Sequence, residues 1–164
     1  GDTLPAATLM EYVEVEGNGC SIGPNPVDVA KATAGKTIAL FALPGAFTPT
    51  CSAKHLPGFV DNAAALKAAG VDEIVCTAVN DPFVMKAWGE STGATAKGVT
   101  LLGDVDSSFT KAIGMEFSVP AIGFFDRSKR YALYAVDGVV KVLNQGAESN
   151  ACEISGGQAM VDAI

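Results

Sequence analysis

The sequence has one histidine, one tryptophan and two arginines, Arg127 and Arg130. Its four cysteines, Cys20, Cys51, Cys76 and Cys152, contain no CxxC pair and no zinc-finger spacing. A dithiol redox pair and a structural zinc site are therefore excluded as organising motifs. Four cysteines in 164 residues are too sparse for a disulfide scaffold, which points to a reducing compartment. Positive charge is also scarce: 11 Lys and Arg stand against 18 Asp and Glu, for a net charge of -7. Such a surface repels phosphate backbones and anionic lipid, which argues against nucleic-acid and membrane-surface roles. No apolar run approaches the roughly 18 residues of a membrane span. There is no repeat, low-complexity tract or linker. What is present is apolar, 49% of the residues, enough for one folded domain over 1–164 with a real core. The sequence starts at Gly1 and shows no signal peptide, so the expected place is the cytoplasm, or an organelle lumen after loss of a targeting segment.

Periodicity supplies the elements. Glu11 to Glu16 alternates like an edge strand with one wet face. Asn25-Pro26 predicts a helix start, closed by Gly35. Thr37 to Leu43 is apolar on both faces, as a central strand is. Leu56, Phe59, Ala63 and Leu66 form one helical face that stops at Gly70, with Pro57 kinking it or splitting off its first turn. Glu73 to Val79 reads as a strand. Asn80-Asp81-Pro82 opens a helix whose buried side is Phe83, Val84, Ala87 and Trp88. Val99 to Leu102 is a short strand, and Asp106 caps a helix carrying Phe109 and Ile113. Pro120 to Phe125 and Arg130 to Val136 read as strands, and Asp137-Gly138 makes a hairpin turn. A last helix runs from Ser155, with Met160, Val161 and Ile164 inward. A βαβ half followed by a ββα half predicts an α/β fold, a central mixed β-sheet with helices on both faces.

The chemistry concentrates in Pro44 to His55, PGAFTPTCSAKH. It follows a buried strand and places Cys51 where a helix starts. The thiolate is the nucleophilic form, and an ordinary thiol with pKa ~8.5 is mostly protonated at neutral pH. A helix N-terminus stabilises the anion. The Thr48 hydroxyl can bridge the sulfur and a bound oxygen. One arginine can add charge: Arg130, inside its strand, is expected to serve the site, and Arg127, in a turn and on the opposite face, to meet solvent. Pro44 walls the pocket without offering an N–H, and Pro49 stiffens the approach. A small, rigid, donor-rich pocket over one sulfur suits a small electrophile whose leaving oxygen gains charge.

Pro44, Thr48 and Cys51 reproduce the P-x-x-x-T-x-x-C motif, and the chain resembles the type II, five-like peroxiredoxins. The likeness extends through VNDPFVMKAWG and RYALYAVDGVVKVLN. The resemblance implies a thioredoxin fold, a peroxide substrate and a homodimer, for which Phe47 and Phe83 are candidates at an exposed apolar patch. It implies that Arg130 is the catalytic arginine. It also implies a Cys51 sulfenic acid, returned to thiolate by glutaredoxin or thioredoxin in antioxidant defence, with no metal or organic cofactor.

Each residue has a plainer reading. Thr48 can cap the following helix, Pro44 can end a strand, and Arg130 can be a surface ion pair. His55 lies four residues after Cys51, on its face of a helix. A Cys–His dyad and a metal pair are alternatives, but no third ligand or orienting acid accompanies them; the resemblance implies instead a supporting role behind the site, because the family often carries this histidine in the first helical turn. Cys76 reads as a buried thiol in a strand. Cys152 is the other candidate to resolve the sulfenic acid, although an ungapped comparison with the family puts Ile154 at that place. No role is expected for Cys20. Two rivals remain: a thiol-disulfide oxidoreductase, which lacks its CxxC, and a peroxide sensor or holdase switched by Cys51 oxidation.

Overall fold

The computed structural model describes residues 2–13, 22–49, 51–145 and 155–164, and at Cys51 and Ala53 the backbone alone. Cys20, Cys152 and the second half of the strand expected over Glu11 to Glu16 lie outside the described residues.

Strand β3 (Thr37–Ala42) is the centre of the molecule. Its side chains alternate between two cores: Ala39 and Phe41 face one, Ile38, Leu40 and Ala42 the other. Burial on both faces explains why no polar residue interrupts the strand after Thr37. It pairs in parallel with β4 (Glu73–Ala78) and antiparallel with β8 (Tyr131–Val136). With β1 (Thr8–Val13), β2 (Gly23–Asp28), β5 (Val99–Gly103) and β9 (Val139–Gln145), these form a seven-stranded mixed sheet in the order β2-β1-β5-β4-β3-β8-β9. Helices α2 (Leu56–Ala68), α3 (Pro82–Ser91) and α5 (Gly157–Ala163) pack on the Phe41 face. Helices α1 (Val29–Thr33) and α4 (Ser108–Ala112) pack on the other. This is the expected α/β arrangement, a central mixed sheet covered on both faces. Strands β6 (Glu116–Val119) and β7 (Phe124–Ser128) form a separate small hairpin.

Several local expectations change. Asn25-Pro26 does not open a helix: both residues lie in β2, and α1 is capped by Asp28, whose carboxylate accepts from Lys31 N at 3.2 Å. Pro24 and Pro26 sit in an edge strand, where a missing N–H is tolerated. β1 is accordingly one strand in from the edge. Helix α3 buries Pro82, Met85, Trp88 and Gly89, and Phe83 is 59% exposed. The cap of α4 comes mainly from buried Asp104, which accepts from Phe109 N and Thr110 N, while Asp106 holds Ser108 N. Pro120 opens a one-turn 3-10 helix between β6 and β7 rather than a strand. Ile164 is 37% exposed, so only Met160 and Val161 of the last helix face inward. Asp137 and Gly138, both at positive φ, make the β8–β9 turn as the sequence indicates.

The sheet order runs outward from β3 through β4 on one side and β8 on the other. The loop after β3 therefore emerges at a topological switch point, where open α/β sheets place their ligands.

Candidate active site

The loop Pro44 to Thr48 leaves β3 and is held from three sides. The Asn80 side-chain oxygen accepts from Ala46 N at 2.9 Å. Arg127 Nη1 donates to the Pro44 carbonyl at 3.2 Å. Thr48 Oγ1 donates to the Gly45 carbonyl at 2.7 Å. A Cβ at Gly45 would stand 2.6 Å from Arg127 Nη1, so a side chain there would displace the guanidinium from the Pro44 carbonyl. Pro44 is buried, Thr48 half-buried, and Phe47 is lifted outward at φ 63 with 55% of its surface exposed.

Helical backbone begins here, with Ser52 N donating to the Thr48 carbonyl at 2.9 Å. Thr48 thus caps the turn with its backbone and spends its hydroxyl proton inside the loop. Cys51 opens a π-helical turn, Cys51–His55, that runs straight into α2. Single π turns appear disproportionately at functional sites. The change of winding answers the expectation at Pro57: the proline stands in the first turn of α2, where no N–H is needed, and the preceding turn is wound differently. Ser52 is fixed by Trp88, whose Nε1 donates to its hydroxyl at 2.9 Å.

His55 closes the turn and is 1% exposed. Both its ring nitrogens are engaged: Arg130 Nη1 lies 2.9 Å from Nδ1, and the Ser155 carbonyl lies 2.8 Å from Nε2. The ring packs against Phe41 and Phe59, which stack on each other at 3.9 Å. The Cys–His dyad and the metal pair both need a ring nitrogen that is uncommitted, and His55 has none. Among the described residues no group of three His, Cys, Asp or Glu side chains is placed to hold a metal.

Burial is the main influence on the His55 pKa; the bond to Ser155 opposes it, Arg130 reinforces it, and the value falls from 6.5 to about 3. The folded chain therefore carries a neutral ring in the range where the unfolded chain binds a proton. Stability should fall as pH drops from 6.5 towards 3, by about 1.4 kcal/mol per unit from this residue. Urea unfolding of the wild type and His55→Asn at pH 7, 6, 5 and 4 checks this. The difference between the two curves should shrink on acidification, and a constant difference would contradict it.

Arg130 is 3% exposed and stands immediately before β8 rather than inside it. The expectation for Arg127 needs correcting. It lies in β7, half-buried, with its guanidinium 5.1 Å over the Phe124 ring and bonded to Pro44. Strand-face alternation does not separate the two arginines, because Lys129 and Arg130 carry the chain from one sheet to the other. Arg127 holds the loop wall, and Arg130 meets the helical turn.

Cys76 lies in β4 within the core under α2, with none of its surface exposed. Asn80, Trp88, Ser52 and Ser155 are the supporting residues that sequence reasoning missed. Asn80 and Trp88 were legible only as a helix start and a core residue, since their bonds to the loop span 34 and 36 positions.

A mixed sheet with a cysteine opening the helix after its central strand defines a thioredoxin-like thiol protein. The family model for redoxins matches residues 1–160. The chain is 49% identical over 166 residues to the chloroplastic peroxiredoxin-2E-2 of Oryza sativa subsp. japonica, covering 100% of this chain and 71% of that protein. It is 46% identical to peroxiredoxin-2C of the same rice, covering 100% and 96%. Its fold superimposes on reduced Prx3 of Vibrio vulnificus in complex with hydrogen peroxide with a TM-score of 0.88 at 43% identity, covering 100% and 97%. The chain belongs to the redoxin family, as a type II peroxiredoxin. It is a thiol-dependent peroxidase on a thioredoxin fold.

Proposed function

We propose that Cys51 is the nucleophile of this peroxidase, with Thr48, Arg130 and Pro44 forming its pocket. The observation that carries this assignment is the buried Arg130 guanidinium, docked on His55 at the end of the turn that Cys51 opens. A buried cation beside the first turn of a helix favours an anion there.

The thiolate attacks one peroxide oxygen in line. An S–O bond forms, the O–O bond breaks, and the departing oxygen leaves with the electron pair as hydroxide or alkoxide. Sulfur is oxidised by two electrons to the sulfenic acid. Arg130 and backbone N–H groups stabilise the departing charge. The Thr48 hydroxyl proton is committed to the Gly45 carbonyl, so its oxygen is left to accept a hydrogen bond from the peroxide O–H. Pro44 offers no donor to compete. Hydrogen peroxide and alkyl hydroperoxides both fit this scheme, which draws on no metal or organic cofactor.

An outside thiol, glutaredoxin or thioredoxin, then restores the thiolate through a mixed disulfide, in antioxidant defence and redox homeostasis. The burial of Cys76 supports this route over resolution by Cys76, because reaching it means opening the α2 core. The active unit is a homodimer. Phe83 and Val105, 59% and 51% exposed beside Met10 and Pro24, and Phe47 on the loop tied to Asn80 supply the apolar surface it buries. The working place is a reducing compartment; the rice 2E-2 relative is chloroplastic by name. Among the described residues, no helix is long and apolar enough to cross a membrane.

Intact mass after one equivalent of peroxide tests the recycling scheme. Wild type and Cys76→Ser should both gain one oxygen. Loss of two hydrogens in the wild type, prevented in Cys152→Ser, would instead make Cys152 the resolving thiol.

A further inference from the structure

His55 is the only histidine in the chain, and one guanidinium and one backbone carbonyl leave it one chemical state. A guanidinium can only donate hydrogen bonds, and a backbone carbonyl can only accept them. Arg130 Nη1 lies 2.9 Å from Nδ1, so Nδ1 presents its lone pair. The Ser155 carbonyl lies 2.8 Å from Nε2, so Nε2 carries the proton. Both contacts hold in only one form of the ring, the neutral Nε2–H tautomer. Phe41 and Phe59 fix its plane, with centroids 5.1 and 5.7 Å away.

The far end of this bridge is also fixed. Ser155 is fully buried and stands two residues before α5. Gly157 lets α5 sit against the Gly58 carbonyl of α2, a contact that any Cβ would block. The line from Ser155 through His55 to Arg130 therefore connects the docked C-terminal helix to the Arg130 guanidinium.

We propose that His55 is a positioning residue for Arg130: its Nδ1 lone pair sets the pose of the guanidinium, and the Ser155 carbonyl sets the pose of the ring. This rests on Arg130 serving the peroxide site as assigned above. The pose matters because Arg130 acts on charge that appears only as the O–O bond breaks. Donors misplaced by about 1 Å lose on the order of 100-fold in rate.

Two isosteres separate this role from simple bracing. His55→Asn puts an acceptor near the Nδ1 position and gives up the Ser155 bond. His55→Gln can still donate to Ser155 but offers Arg130 no acceptor at Nδ1. Stopped-flow oxidation of the reduced full-length chain by hydrogen peroxide should be slowed about 10- to 100-fold in His55→Gln and much less in His55→Asn. A structural brace predicts the reverse order, and that order would overturn the proposal. In an Arg130→Gln background, adding His55→Gln should change the rate by less than about twofold; a full additional loss would show that His55 does not act through Arg130. If Arg130→Gln alone is without effect, the site assignment fails, which is a separate result. Independently of activity, ¹⁵N NMR of the single imidazole should show an unprotonated Nδ1 and a protonated Nε2 from pH 8 to pH 5. The opposite tautomer, or an average of the two, would contradict the bridge even if every variant were poorly folded.

Discussion

Cys51→Ser should reduce peroxide turnover by more than about 10³-fold, to the level of a buffer control, while leaving the fold intact. The reason is ionisation rather than size. A serine hydroxyl fits wherever a thiol does, but no helix N-terminus or nearby guanidinium brings an alcohol to its anion near neutral pH. The reaction also ends with oxygen bonded to sulfur, a product that serine cannot form. Peroxide consumption with dithiothreitol as reductant gives the activity, and thermal unfolding gives the fold. The comparison with Cys76→Ser sharpens the result. Cys76 is sealed in the core between β4 and α2, so its replacement should leave the rate of oxidation close to wild type. Residual turnover in Cys51→Ser that disappeared on removing Cys76 would mean the wrong sulfur had been assigned.

Arg130→Gln should lower kcat/KM for hydrogen peroxide by about 10² to 10³-fold, the loss typical of one preorganised donor to a developing oxyanion. Glutamine keeps an N–H donor but loses the charge and the reach, and it leaves the His55 lone pair without its guanidinium. Arg127→Gln is the informative control. Arg127 is half-buried and bonded to the Pro44 carbonyl, so its loss should loosen the loop and cost far less than the loss of Arg130. If the two variants ranked the other way, the cation of the site would be Arg127 and the assignment made from the turn at His55 would be wrong.

The fold was legible where the local signal and the tertiary demand coincide. Thr37 to Leu43 is apolar on both faces because both faces are covered, and Leu56, Phe59, Ala63 and Leu66 mark the buried side of α2 directly. Asp137-Gly138 takes positive φ where the hairpin requires it. The failures share one cause, which is packing and pairing that the local pattern does not carry. Asn25-Pro26 carries a sound helix-start signal, yet those residues pair with β1 and the helix waits for Asp28. Phe83 looks like the buried side of α3, yet the helix turns Met85 and Trp88 inward and leaves Phe83 outside.

The site divides in the same way. The Pro44, Thr48 and Cys51 motif is contiguous and could be read with its spacing. Arg127 could not be placed, because a strand-face argument assumes one continuous strand and the chain changes sheets between the two arginines. The role of His55 was open for a similar reason: its partners lie 75 and 100 residues away, and only their arrival excludes a dyad and a metal pair.

The reactivity proposed for Cys51 depends on its being a thiolate at neutral pH. The most direct measurement is the ultraviolet absorbance of the thiolate against pH, in the wild type and in a Cys51→Ser control, with the rate of oxidation by hydrogen peroxide followed over the same range. The difference spectrum should titrate with a midpoint well below the ordinary thiol value of ~8.5, and the rate should rise with the same midpoint. A midpoint near ~8.5, with oxidation no faster than that of free cysteine, would contradict it.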